Sequence, residues 1–84
     1  MYASIEGHLE IVQYLISIGA DKEAKDNDGY TPLLRSSEKG HLEVVQYLIS
    51  IGADKEAKDN KGRSLMYFAK DNVKKFLKYV VISE

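Results

Sequence analysis

Residues Gly7–Gly29 read GHLEIVQYLISIGADKEAKDNDG, and residues Gly40–Gly62 read GHLEVVQYLISIGADKEAKDNKG. Twenty-one of these 23 positions are identical, at a spacing of 33 residues. A fixed period of this size marks a solenoid, in which each unit is too small to bury its own apolar face and stacks on a neighbour. Such architectures offer extended surfaces to other proteins.

Working outward, the unit divides at its glycines. Gly7 and Gly40 end a first helix, since glycine tolerates the left-handed conformation that closes helices. A second helix is predicted over Leu9–Ser17. Its polar positions Glu10, Gln13 and Ser17 form one narrow stripe, and nearly everything else is apolar. So broad an apolar surface wants neighbours on several sides. Gly19 closes this helix. Ala20 to Gly29 is polar and rich in turn residues, which predicts an extended, hairpin-like finger with Asn27-Asp28-Gly29 at its tip.

Tyr30-Thr31-Pro32-Leu33 opens the next unit. Thr31 suits an N-cap and Pro32 the first helical position, where its missing N–H costs nothing. The helix Pro32–Lys39 carries the small pair Ser36 and Ser37, as the preceding unit carries Ala3 and Ser4. The last unit departs: Ser64 can cap, but the proline is gone and the unit is one residue shorter after Ala69. In that register Phe76-Leu77-Lys78-Tyr79-Val80 matches Val44-Val45-Gln46-Tyr47-Leu48. Lys74, Lys75 and Lys78 widen the polar side of its final helix, as expected of a terminal cap. Helix pairs are therefore predicted near residues 1–18, 31–51 and 64–83.

Composition narrows the class. The chain has 84 residues, 44% apolar and 30% charged, which suits one small globular domain. A domain of this size is marginal unless well packed. There is no cysteine, hence no disulfide and no thiolate metal site. No apolar run approaches a membrane span, and no signal peptide is visible, so cytosolic or nuclear placement is the default. Residues 1–60 carry six Lys or Arg against eleven Asp or Glu; residues 61–79 carry six cations against Asp71 alone. That basic end is either a solvated face or a patch for an acidic partner.

Three linked motifs name a family: Thr31-Pro32-Leu33, then Gly40-His41-Leu42-Glu43-Val44-Val45, then Gly52-Ala53-Asp54. At a period of 33 they closely resemble the ankyrin repeat, over nearly the whole chain. The resemblance implies an all-α repeat solenoid with hairpin-like fingers, here one domain over 1–84. It comprises an amino-terminally truncated repeat (1–29), a full repeat (30–62) and a divergent, cap-like repeat (63–84). Leu34 and Tyr67 stand where the family has a histidine that bonds adjacent fingers, so that tie is absent. The resemblance further implies a non-catalytic protein-interaction module. The family's contact positions fall on Lys25, Asn27, Asp28, Tyr30, Arg35, Glu38 and Lys39, then on Lys58, Asn60, Lys61, Arg63, Phe68 and Asp71.

Other chemistries fit poorly. His8 and His41 in stacked units lie ~8–10 Å apart, too far to share an ion at ~2.0–2.1 Å. A calcium loop with Gly29 sixth would need a carboxylate at the twelfth position, where Arg35 stands. No nucleophile–base set and no phosphate loop are apparent, so neither enzyme nor cofactor is expected. Tyr2, Arg35 and Phe68 share one position in successive units, as either an intramolecular cation–π stack or an exposed hot spot. The expected partner is a protein of unstated identity; neither a small-molecule substrate nor nucleic acid is expected. The alternatives are a structural spacer and weak capture of an acidic partner or nucleic acid by the basic end. The flank of Leu9, Val12 and Leu15 is expected to stand open and to invite self-association.

Overall fold

The computed structural model describes residues 8–83. The expected helix over Met1–Glu6, its stop at Gly7 and the position of Tyr2 lie outside the described residues. Five helices follow: α1 (Leu9–Ser17), α2 (Pro32–Lys39), α3 (Leu42–Ser50), α4 (Leu65–Phe68) and α5 (Asp71–Ser83). Among the described residues there is no strand. Helix α2 packs on α3 and α4, while α3 packs on α1 and α5. The short helices α2 and α4 thus form one layer, and α1, α3 and α5 the other.

The central pair is built as its sequence directs. Thr31 Oγ1 accepts from the Leu34 N–H at 3.3 Å, Pro32 opens α2, and Gly40 closes it at φ 74°. The His41 N–H reaches back to the Ser36 carbonyl at 3.0 Å, satisfying a helix end that would otherwise be bare. Leu33, Leu34, Val44, Val45 and Leu48 are fully buried between the layers. Ser36 and Ser37 are buried too, small enough to let the neighbouring helix approach. Ser36 Oγ donates to the Pro32 carbonyl at 2.8 Å. Ser37 Oγ is buried without a hydrogen-bond partner.

The last unit folds differently from its predecessor. Ser64 holds the N-cap position, but its side chain makes no capping bond. Without proline and the closing glycine, α4 is a single turn that ends at Ala69 in extended conformation. The freed groups turn to the neighbouring unit. The Lys70 N–H donates to the Ser37 carbonyl at 3.3 Å, and Asn72 Nδ2 donates to the Gly40 carbonyl at 3.1 Å. In the long helix α5, Val73 and Leu77 are buried, whereas Phe76 and Val80 are half-buried. The match of Phe76–Val80 with Val44–Leu48 holds for burial at Leu77, buried like Val45, but not at Phe76 and Val80, which are half-buried where Val44 and Leu48 are buried. Lys75 and Lys78 face solvent, while Lys74 is half-buried.

The open flank is also not where the pattern put it. Val12 is buried, and Leu9 and Leu15 are half-buried against the core. Ile11, Tyr14 and Ile18 are exposed instead, at 49%, 62% and 63%. The first three residues line the side of α1 that α3 covers; the second three, at i, i+3 and i+7, line the other side.

Candidate interaction surface

Two fingers join the units. Each turns through the same bonds: the Gly29 N–H donates to the Asp26 carbonyl at 2.9 Å, and the Gly62 N–H to the Asp59 carbonyl at 2.9 Å. Each is also tied by an aspartate carboxylate. Asp26 Oδ1 accepts from the N–H groups of Asp28 and Tyr30; Asp59 Oδ1 accepts from those of Lys61 and Arg63. This is the side-chain-mimicked turn that Asx residues favour. The fingers are hairpin-like without a strand ladder.

The fingers are bonded to each other. The Asn60 N–H donates to the Asp28 carbonyl at 3.0 Å, and Asn60 Nδ2 to the Asn27 carbonyl at 3.1 Å. Farther down, the Asp54 N–H donates to Glu23 Oε2 at 2.9 Å. These bonds tie the two fingers together without a histidine at Leu34 or Tyr67. Gly29, at φ 81°, allows the approach: a Cβ there would overlap the Asn60 side chain and lie 2.7 Å from its backbone nitrogen.

Beneath the fingers lies a layer of arginines and aromatics. The Arg35 guanidinium sits 3.6 Å from the Tyr30 ring centroid. Tyr30 and Phe68 are in ring contact at 4.8 Å, and Arg63 lies 5.1 Å from Phe68. Tyr67 closes the row against Phe68 at 5.3 Å. The stack is intramolecular. Its partner for Arg35 is Tyr30 rather than Phe68, because the two units exchange residue types. Tyr30 and Arg63 occupy one repeat position, and Arg35 and Phe68 the other. Each unit still contributes one cation and one ring.

The finger aspartates hold both cations. Arg35 Nε donates to Asp26 at 2.9 Å, and Arg63 Nε donates to Asp59 at 2.8 Å. Arg35 also reaches Asp28 and Glu38, each at 3.3 Å. Burial pushes the Asp59 carboxyl up, but hydrogen bonds from the Arg63 side chain and backbone outweigh it and leave it below the usual carboxylate range. Asp26 shows the same balance, with burial opposed by the Tyr30 N–H and the Arg35 guanidinium. Burial raises the Tyr30 hydroxyl, against the pull of Arg63, whose Nη2 donates to it at 3.2 Å.

The sequence-predicted contact positions sort into three groups. Lys25, Asn27, Asp28, Lys39, Lys58, Asn60, Lys61 and Asp71 are exposed. Arg35, Glu38 and Arg63 are half-buried, and Tyr30 and Phe68 are buried. Asp28, Tyr30, Asn60, Lys61 and Arg63 gather with Asp59 around an open depression of about 270 Å³. Lys39 ends α2 and Asp71 begins α5, apart from that depression. Asp26 and Asp59, which hold the arginines, are not among the sequence-predicted positions, though their recurrence at the repeat spacing is a visible signal.

A family model described as ankyrin repeats (3 copies) matches residues 1–59. The chain belongs to the ankyrin-repeat family. No curated protein matches it. Ankyrin repeats are in general protein–protein interaction modules, and the all-helical architecture fits that family. The ankyrin match stops at Asp59, short of the unit with the shortened helix α4. Among the described residues no group of His, Cys, Asp or Glu is placed to hold a metal ion. No described helix is long and apolar enough to cross a membrane.

Proposed function

We propose that this chain is a non-catalytic interaction module that presents its finger tips, and the arginine–aromatic layer beneath them, to a protein partner in the cytosol or nucleus. The cross-bonded finger pair carries the reading. One backbone and one side-chain bond from Asn60 fix the tips relative to each other, while the side chains of Lys25, Asn27, Lys58 and Lys61 stay exposed. A surface ordered before contact loses less entropy on binding. Lys39 and Asp71 extend it along the unit ends, and Glu38 with Arg35 forms its floor. Tyr30 and Phe68 act from below, by holding the arginines.

A photo-crosslinking residue tests this when placed at Asn27 or Lys61, with Gln46 on α3 as the control. Discrete cross-linked products from the fingers, and none from Gln46, are expected in cells. Equal labelling from all three sites sinks the proposal.

One observation favours a second reading, a structural spacer. The two fingers differ in sequence only at Asp28 and Lys61. Glu23 and Asn60 are moreover committed to bonds between units. A spacer yields no discrete product from any finger position.

A further inference from the structure

The carboxylates of the finger tips are taken up within the molecule. Asp26 and Asp28 are ion-paired to Arg35, as is Glu38, and Asp59 is ion-paired to Arg63. Earlier in each finger, Asp21 and Asp54 accept backbone N–H groups of their own finger, and Glu23 accepts one from the other. None of these ion pairs takes up Lys25, Lys58 or Lys61, and all three are exposed. The fingers are rich in acid by composition, yet the charge they leave for a partner is positive.

That exposure belongs to the repeat position. Lys25 is exposed in a finger that has a neighbour after it, and Lys58, one period on, in a finger that has a neighbour before it. Lys61 stands where the first finger has Asp28, and Phe68 where the middle unit has Arg35. Asp28 has a guanidinium to pair with; at Lys61 the equivalent group is a phenyl ring, which pairs with no carboxylate. The tip thus changes sign together with the residue beneath it, and the change adds a third ammonium group. The bonds from Asn60 hold the two tips side by side.

We propose that the partner presents an acidic segment, a stretch of protein rich in Asp or Glu, which lies across both tips and pairs with Lys25, Lys58 and Lys61. This rests on the reading that the tips are the contact surface, and it names the chemistry they recognise. The tip aspartates do not repel such a segment, because arginines already hold them. Nucleic acid fits less well: three lysines give few phosphate contacts, and residues 25–28 and 58–61 include no aromatic ring on which a base could stack.

Fluorescence anisotropy of a rhodamine-labelled peptide, ten residues of alternating Glu and Ser, tests the proposal on the full chain. A Gln–Ser peptide and a ten-nucleotide dT strand are measured beside it. The Glu–Ser peptide is expected to bind at least tenfold more tightly than either, and to weaken as salt rises from 50 to 500 mM. A Lys25→Glu, Lys58→Glu, Lys61→Glu chain, shown to be folded by circular dichroism, is expected to lose at least tenfold in affinity. A Lys75→Glu, Lys78→Glu chain is expected to lose none. Equal binding of the Glu–Ser and Gln–Ser peptides overturns the proposal, as does full binding by the triple variant or a loss confined to the Lys75 and Lys78 variant. Equal or tighter binding of the dT strand overturns it in favour of nucleic acid. Cross-linking from Asn27 in cells separates this proposal from the one it rests on. Products that persist at full yield in the Lys25→Glu, Lys58→Glu chain overturn the acidic partner and leave the finger surface standing. An unmodified chain that yields no finger product overturns both.

Discussion

Helices α1 and α3 differ in one residue of nine, LEIVQYLIS against LEVVQYLIS, yet they occupy different environments. In α3, Val44, Val45 and Leu48 are buried; in α1 only Val12 is. Hydropathy is nearly the same in both, so the difference is positional. Helix α3 has α1 on one side and α5 on the other, with α2 beneath. Helix α1 has one such neighbour among the described elements. In a repeat stack, nearest-neighbour interfaces set how much a given residue contributes. Identical side chains therefore have unequal effects on stability.

The largest test of that inequality is a pair of equivalent truncations. Leu48→Ala empties a site enclosed on all sides and is expected to cost ~2–5 kcal/mol. Leu15→Ala, at the same repeat position, is expected to cost roughly 1 kcal/mol, because a half-open site loses transfer energy without leaving a cavity. Urea denaturation of the two variants measures both. Equal losses would mean that α1 is as well covered as α3.

The finger glycines give the next contrast. Gly29 and Gly62 both adopt positive φ, at 81° and 75°, so alanine at either costs about 1–2 kcal/mol of backbone strain. At Gly62 a Cβ meets nothing within 4 Å, while at Gly29 it collides with Asn60. Gly29→Ala is therefore expected to cost a further ~1–3 kcal/mol, as overpacking does. It is also expected to raise amide exchange at Asn60, whose N–H bonds to the other finger. Thermal melts and hydrogen exchange check the pair. Matching melting temperatures would refute the close contact between fingers.

The smallest effect separates the two finger aspartates. Both carboxyls lie below their ordinary pKa in the folded chain. A depressed carboxyl stabilises the fold above the unfolded value of ~3.9, and that contribution disappears as pH falls through the lower folded value. Stability is thus expected to be flat near neutrality and to drop below about pH 4. The Asp59 side chain is 1% exposed and that of Asp26 23%. Asp59→Asn is expected to flatten the acid limb more than Asp26→Asn. The reverse order, in acid titrations followed by circular dichroism, would place the tighter ion pair in the first finger.

Much of this architecture was legible in the chain. The 33-residue period, Thr31-Pro32 at a helix start and Gly40 at its stop act through neighbours only a few residues away. Their backbone preferences are local, so the sequence determined the units, their helices and their family membership by itself. Tertiary structure alone decided which of two nearly identical helices lies inside. It also decided that the open stripe is Ile11, Tyr14 and Ile18 rather than Leu9, Val12 and Leu15. Burial depends on what stands across the interface, and no window of one helix contains that. The arginine–aromatic layer has the same origin. Tyr30 meets Phe68 across 38 residues and Arg63 across 33, through an exchange of residue types between units that cancels only once they stack. A periodic reading treats such an exchange as divergence. In space it keeps one cation and one ring in each unit, each cation held by the aspartate of the finger that precedes it.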